Sequence, residues 1–285
     1  MKKTLVMALA LTLTVAFAGC GNATDNNTNN NETTPATTES TVAESTVEDT
    51  TDATDDAETT PADDVEDVKS EGVMTYAEYV AADLDTEVTV ETYVQAKQSW
   101  WEDKATVYTQ DHDGGYFLYN MACSEEDYAK LEKGTKIKVT GYKSEWSGEV
   151  EIIDATFEIE DGSYVAEPVD VTAELASDDL INYQNQFVSF KGMTVEAAGQ
   201  DDAGNDVAFL YNWDGSGTDG DDLYFTVSKD GASYSFTVES YLCDKDSDVY
   251  AAVKNLKIGD VIDLEGFLYW YEGVNPHITS VTAAN

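Results

Sequence analysis

An internal repeat constrains the fold of this chain more than any other feature of its sequence. Segment 131–142 aligns without a gap on segment 256–267, with two glycines at matching places and apolar residues at alternate positions between them. Repetition of this kind indicates two supersecondary units built on one plan. The period of two between apolar positions predicts strands with one buried face.

The two copies differ in length. Upstream of the clearest segment, 86–90 matches 186–190 at an offset of 100 positions, whereas the segment above repeats at an offset of 125. The second copy therefore holds about 25 extra residues in its middle. A division near Pro168 gives domains at 73–166 and 167–285, each of ordinary domain size.

Within the first copy, apolar residues alternate over five short segments, which predicts five strands. These segments contain Val88 and Val90, Val107 and Thr109, Phe117 and Tyr119, Ile137 and Val139, and Ile152 and Ala155. A short helix is predicted between the third and fourth strands, capped by Ser124 and ended by Gly134. The second copy repeats this helix, with Asp246 or Ser247 as the cap and Gly259 at the end.

The order of three strands, a helix and two strands in about 100 residues resembles the OB-fold, a five-stranded Greek-key barrel. Segments Lys133–Tyr142 and Lys257–Phe267 are similar to the joint between the helix and strand four of bacterial OB proteins. The resemblance implies an all-β fold with one short helix per domain, arranged as two tandem OB-like barrels. An immunoglobulin-like sandwich is the alternative, but it needs no helix at the same place in both copies.

The N-terminus has the pattern of an export signal. A charged start precedes the apolar stretch Leu5–Phe17, which is too short to span a bilayer, and small residues follow. Phe17-Ala18-Gly19-Cys20 resembles the bacterial lipobox, which implies that 1–20 is a lipoprotein signal peptide and that Cys20 carries acyl chains such as palmitate. Two acyl chains hold a protein stably at a membrane, here the bacterial cell membrane on its extracytoplasmic side. The alternative is an ordinary cleaved signal.

Charge and composition separate a linker from the folded part. Residues 21–72 are almost only Asn, Thr, Asp, Glu, Ala and Ser with no aromatic residue, which predicts a disordered acidic stalk or a solubilising tail. After Gly72 the chain carries 42 acidic residues against 12 lysines, and it has no arginine anywhere. Such a surface repels phosphate groups, so we expect no nucleic-acid partner and a preference for neutral or cationic ligands.

Aromatic residues are the candidate ligand contacts. OB-folds generally bind ligands on strands two and three and on the loops that join strands one to two and four to five. In the first copy Trp100 and Trp101 lie in the first loop, Trp146 in the second and Tyr119 on strand three; Trp270 lies in the second loop of the second copy. Their faces can stack on sugars, bases or peptide side chains. The alternative is that these rings fill the barrel ends and the domain interface.

The insertion of the second copy contains a calcium-like pattern. Asn212, Asp214 and Ser216 precede a glycine, as in the first half of an EF-hand loop. The twelfth position is Leu223 instead of glutamate, and Asp222 stands one position early. These residues are a candidate calcium site, with an acidic hairpin loop as the alternative; no other cofactor is expected.

No catalytic group is indicated. The two histidines, His112 and His277, lie in different copies, so a triad or a zinc site would need their chance proximity. Carboxylate pairs occur at almost any spacing in so acidic a chain and do not diagnose glycoside hydrolysis. Cys123 and Cys243 occupy matching places, and we expect unpaired thiols, with a disulfide as the alternative.

Together these features predict a lipid-anchored, non-catalytic binding protein at the cell surface, with a glycan or a peptide recognised by exposed aromatic rings. A structural or assembly subunit of a cell-envelope complex is the alternative. A wall hydrolase ranks third, because it would require two carboxylates facing each other in a cleft.

Overall fold

A computed structural model describes residues 68–284 of the chain. The predicted signal peptide at 1–20, the lipidation site Cys20 and most of the predicted linker at 21–72 lie outside these residues. Within 68–284 no helix has the length and apolar character needed to cross a membrane. The described part is all-β with short helices, as the sequence predicted.

The first unit is a closed five-stranded barrel with the OB-fold order β1-β2-β3-β5-β4. Its strands are β1 (Glu87–Lys97), β2 (Lys104–Gln110), β3 (Gly115–Ala122), β4 (Thr135–Trp146) and β5 (Glu149–Ser163). Helix α1 (Tyr76–Ala81) precedes the barrel, and helix α2 (Glu125–Lys130) lies between β3 and β4. Only β3 and β5 pair in parallel, which closes the barrel.

The second unit closes in the same way around a five-stranded ring, because β11 pairs with β7. Its strands are β6 (Val169–Asp170), β7 (Phe187–Glu196), β8 (Gly199–Gln200), β9 (Asp206–Val207), β10 (Phe209–Tyr211), β11 (Leu223–Lys229), β12 (Ala232–Val238), β13 (Val261–Phe267) and β14 (His277–Ala283). Helix α3 (Asp248–Lys254) precedes β13. The ring order β7-β11-β12-β14-β13 matches that of the first barrel, and β6, β8, β9 and β10 are additions to it.

The helix caps agree with the sequence. Ser124 caps α2, and its hydroxyl accepts a hydrogen bond from the backbone N–H of Asp127. Ser247 caps α3 and accepts from the N–H of Tyr250. Each hydroxyl satisfies one of the N–H groups that a helix leaves unpaired at its start.

The glycines expected to end these helices have a different role. Helices α2 and α3 end before Gly134 and Gly259, which adopt φ values of +91° and +94°. Their N–H groups donate to the carbonyls of Val94 and Val195, at 2.7 and 2.8 Å. The positive φ that glycine tolerates thus turns the chain from the helix into the next strand and joins it to the first strand of each barrel.

The two barrels pack directly on each other. Tyr108 and Phe117 of the first barrel and Phe267 of the second form a buried cluster, with the rings of Tyr108 and Phe267 stacked at 4.5 Å. The side-chain carbonyl of Gln110 also accepts a hydrogen bond from the backbone N–H of Phe187, at 2.7 Å. Some of the aromatic rings therefore fill the interface between the barrels, which is the alternative that the sequence left open for aromatic residues.

Candidate functional site

A cleft with two chambers lies where the barrels meet. The first chamber has a volume of about 420 Å³ and the second about 740 Å³. Glu239, Tyr269 and His277 line both chambers and form the boundary between them. We call the pair of chambers the inter-barrel cleft; the volume of each chamber is within the range of small-molecule sites.

Six aromatic rings line the first chamber. They belong to Trp100, Trp101, Phe117, Tyr119, Tyr241 and Tyr269. The loop between β1 and β2 carries the two tryptophans, and the indole N–H of Trp100 donates to the carbonyl of Cys123 at 2.9 Å. That bond fixes one ring, while the Trp101 side chain next to it is 70% exposed. The exposed indole is therefore available to stack on a ligand.

The second chamber is lined by rings from both barrels. They belong to Trp146, Trp213, Tyr224, Tyr269 and Tyr271. Trp146, the last residue of β4, contacts Tyr271 with ring centroids 5.1 Å apart. Trp213, in the insertion of the second barrel, is 76% exposed at the rim. Each chamber therefore presents a set of π faces, which attract cations as well as apolar surfaces.

Glu239 provides the carboxyl group at the boundary between the chambers. It follows β12, and the side-chain amide of Gln98 donates to both of its oxygens at 2.8 Å. Burial, and then the charge of Asp222, raise the pKa of Glu239 to about 8. At neutral pH this carboxyl is therefore mostly in its protonated form.

His277 does not supply a counter-charge to Glu239. Its Nδ1 lies 3.6 Å from a Glu239 oxygen, a distance that would suit an ion pair if the ring were charged. Burial lowers the pKa of His277 to about 3, so the imidazole is neutral. The same Nδ1 shares a hydrogen bond with the hydroxyl of Tyr108, at 2.6 Å.

Two more carboxylates, Asp222 and Glu272, line the second chamber. One oxygen of Asp222, Oδ1, accepts from the N–H and the hydroxyl of Ser240 at 2.8 and 2.7 Å. Within residues 68–284, none of the ion pairs made by lysine involves Asp222, Glu239 or Glu272. The cleft thus contains three carboxyl groups without a described cationic partner. Lys104 is the lysine that lines the first chamber.

A fourth carboxyl joins the barrels outside both chambers. Glu149, at the start of β5, is fully buried, and its Oε2 accepts from the N–H of Trp270 at 2.8 Å and from the amide of Gln184 at 3.2 Å. Burial raises the pKa of Glu149 to about 8. Both contacts join it to residues of the second barrel, so Glu149 helps to hold the two barrels together.

The structure brings together four of the five predicted ligand contacts. Trp100, Trp101 and Tyr119 line the first chamber, and Trp146 lines the second. Trp270 lies in neither chamber; its half-buried ring packs against the core of the second barrel. Its neighbour along the chain, Tyr271, lines the second chamber instead.

Sequence reasoning missed the residues that the second barrel contributes to the first chamber: Glu239, Tyr241, Tyr269 and His277. They become site residues only through the packing of one barrel on the other, which no single-strand pattern encodes. The one available signal was His277, as a rare residue type in this chain. It was considered only as a catalytic group or a zinc ligand.

The residues of the calcium prediction make other contacts. Asp214 accepts from the N–H of Ser216 at 3.0 Å, and Asp222 from Ser240 as described above. Between residues 68 and 284 no group of three or more His, Cys, Asp or Glu side chains is placed to hold a metal ion. Calcium binding by Asn212, Asp214, Ser216 and Asp222 stays a prediction.

Cys123 and Cys243 are not joined to each other and carry free thiols. Burial raises the pKa of each thiol to about 11. Thiolate is the reactive form of cysteine, so both side chains are poor nucleophiles at neutral pH.

The described fold resembles solved OB-fold structures, although no protein-family model and no curated protein matches the chain. A murine DNA-binding protein bound with double-stranded DNA is 10% identical, with a TM-score of 0.35 over 69% of this chain and 96% of that one. The HINa domain of Ifi202 in complex with 20 bp double-stranded DNA is 11% identical, with a TM-score of 0.32 over 71% and 97%. A replication protein A heterotrimer bound to single-stranded DNA is 12% identical, with a TM-score of 0.28 over 70% and 49%.

These comparisons correct two expectations drawn from the sequence. The similar structures are DNA-bound OB-folds rather than surface binders of glycans or peptides. The expectation of a glycan or peptide ligand is therefore wrong, and so is the exclusion of nucleic acid as a partner class. At these TM-scores the likeness extends to the fold and names no ligand for this chain.

Proposed function

We propose that this chain is a non-catalytic binding protein whose inter-barrel cleft takes a small organic cation. The observation that carries the proposal is Glu239, a largely buried carboxyl among aromatic rings with no described cationic partner. Ionising such a group without a counter-charge is costly, which is why its pKa is raised. A ligand cation would supply the missing charge.

The rings favour the same ligand class. A cation over the face of an indole or phenol gains about 0.5–2 kcal/mol, most where water is excluded. Trp101 and Tyr119 in the first chamber and Trp146 in the second offer such faces next to carboxyl groups. Rings and carboxyl groups together stabilise a positive charge better than either does alone.

The overall charge acts in the same direction. With 42 acidic residues against 12 lysines after Gly72, the surface potential concentrates cations near the cleft. A single-stranded oligonucleotide is the most informative comparison ligand, since it presents stackable bases together with phosphates.

The absence of catalysis is part of the proposal. His277 is held neutral by burial and is already hydrogen-bonded to Tyr108, so it is poorly suited to accept a proton near neutral pH. The free thiols have raised pKa values. These properties suit a site that binds its ligand without changing it.

The location is proposed from the sequence alone. The stretch that ends at Cys20 and the acidic linker at 21–72 support an extracytoplasmic protein held to the bacterial membrane by lipid, with the barrels carried away from the surface.

Titration of the full chain with choline, by calorimetry and tryptophan fluorescence, tests the proposed ligand class. The neutral control is 3,3-dimethylbutan-1-ol, which has choline's shape without its charge. We expect saturable binding of choline at least about tenfold tighter than the alcohol, a difference of about 1.4 kcal/mol or more. Glu239→Gln should remove most of that difference, whereas Glu158→Gln, on an exposed part of β5, should leave it unchanged.

Three results would contradict the proposal. They are no response to choline, an equal response to the alcohol, and an oligothymidylate that binds while choline does not. Trp101→Ala checks the location of the site, because loss of one exposed ring should weaken choline about 2- to 30-fold. Since Trp101 is 70% exposed, this change should leave the fold intact.

A further inference from the structure

The two chambers differ in the charges they present. The first chamber contains one carboxyl group, Glu239, at its boundary with the second. The second chamber shares Glu239 and adds Asp222 and Glu272. A cation seated in the first chamber would therefore use Glu239 and leave the other two carboxylates without a partner.

One carboxylate oxygen of Asp222 accepts no hydrogen bond within the described residues. Its Oδ1 accepts both hydrogen bonds from Ser240, and no hydrogen bond within the described residues uses its Oδ2. The charge of Asp222 also contributes to the raised pKa of Glu239, so the two carboxyl groups lie close enough to repel each other. One positive charge beside each would relieve this repulsion.

Aromatic faces accompany the carboxyl groups in both chambers. In the first, Trp101 and Tyr119 lie on the barrel-one side of Glu239. In the second, Trp146 and Tyr271 face each other beside Asp222 and are 54% and 45% exposed. The cleft thus repeats one combination of rings and carboxylate on either side of a shared boundary.

The size of the cleft also exceeds what a single small cation needs. Its chambers measure about 420 and 740 Å³ and share Glu239, Tyr269 and His277 as lining residues. A compact quaternary ammonium would fill part of one chamber. An elongated ligand would pass the boundary and occupy both.

We propose that the preferred ligand of the inter-barrel cleft is an elongated dication, an aliphatic diamine or polyamine with one ammonium group in each chamber. Glu239 holds the first ammonium, Asp222 and Glu272 hold the second, and the methylene chain crosses Tyr269. Lys104 lines the first chamber, so the ammonium there sits at the Glu239 side. This inference rests on the proposed function and narrows its ligand class.

The test is a calorimetric titration of the full chain with α,ω-diamines of four, six, eight and ten carbons, each against the monoamine of equal chain length. We expect at least one diamine to bind about tenfold or more tightly than its monoamine, which corresponds to about 1.4 kcal/mol. Asp222→Asn keeps an acceptor for Ser240, and it should bring the ratio of the two affinities close to one. Asp244→Asn, an exposed control, should keep the ratio.

The outcomes separate this inference from the proposed function. If monoamines bind and no diamine gains over its monoamine, the dication proposal is wrong and the cation site stands. If neither binds, both proposals fail. Trp146→Ala gives an independent check, because an exposed ring can be removed without a folding defect. If a diamine still binds more tightly than its monoamine in both Trp146→Ala and Asp222→Asn, the inference is also overturned.

Discussion

The two barrels close in the same way but differ in how their ends are packed. Helix α2 of the first barrel buries none of its residues, whereas α3 of the second buries Val249, Tyr250 and Val253. The first barrel instead places Tyr79 of α1 against its core. The repeated strands therefore determine the barrel, whereas different helices pack against its core in the two copies, α1 in the first and α3 in the second.

The cleft combines repeated and unrepeated residues. Trp146 and Tyr271 occupy equivalent places in the two copies, 125 positions apart, and their rings meet in the second chamber. Trp100 and Trp101 belong to a short loop of the first copy, and the longer insertion of the second copy carries Trp213. The binding surface thus arises where the copies meet and where they differ.

Equivalent glycines offer the sharpest test of the shared plan. Gly141 and Gly266 each lie at an irregularity between the last two strands of their barrel. A Cβ at Gly266 would lie 2.3 Å from the backbone oxygen of His277, and one at Gly141 would lie 2.8 Å from that of Ile153. Backbone atoms cannot move aside easily, so each position requires glycine.

We therefore expect Gly266→Ala to lower the free energy of unfolding by about 3 kcal/mol and Gly141→Ala by about half of that. Urea denaturation followed by tryptophan fluorescence measures both. Gly204→Ala is the control, because Gly204 lies in an open loop with nothing near the added carbon. Its φ of +80° still disfavours alanine, so we expect a smaller decrease in the free energy of unfolding there. Equal stability of Gly266→Ala and the parent chain would contradict the shared packing plan.

Each barrel contains one largely buried carboxyl group that makes the stability of the chain depend on pH. Glu149 and Glu239 both have pKa values near 8 in the folded chain. Between about pH 4.5 and 8 each group keeps its proton in the folded chain, whereas the unfolded chain has lost it. The free energy of unfolding therefore falls as the pH rises toward 8. His277 acts in the opposite direction, but its contribution is complete above about pH 6.5.

Between pH 6.5 and 9 the free energy of unfolding should therefore fall by about 2 kcal/mol for each of the two carboxyl groups. Glu149→Gln should remove about half of the fall, and Glu239→Gln the other half, because glutamine keeps the acceptor and cannot ionise. Glu158→Gln serves as the exposed control. A flat or rising profile in the parent chain over this range would show that neither carboxyl is protonated in the fold.

Much of the fold could be predicted because its determinants are local. Alternating apolar residues, the caps Ser124 and Ser247 and the repeated glycines lie within short segments, so a strand or a helix start is visible in the sequence. Helix α1 escaped prediction because Tyr76–Ala81 is a single short turn outside the repeat. The helix ends were placed too far along the chain, because Gly134 and Gly259 serve the next strand instead.

The candidate site was predictable only in part, since it depends on contacts between barrels. Trp101 and Trp146 were identified because exposed tryptophans in loops are unusual. Trp270 was chosen over its neighbour Tyr271, although only Tyr271 lines the cleft. Glu239 could not be singled out among so many acidic residues, because its burial results from the packing of the two barrels.

The central claim is that a ligand cation pairs with Glu239 and not with the equally perturbed Glu149. Because the pKa of Glu239 is about 8, this group should give up its proton when a cation binds at pH 7. Choline titrations in two buffers of different ionisation enthalpy count the protons released. The account predicts about 0.9 proton per choline for the parent chain and for Glu149→Gln, and none for Glu239→Gln. Tight binding without proton release in the parent chain, or release that disappears with Glu149→Gln, would contradict it.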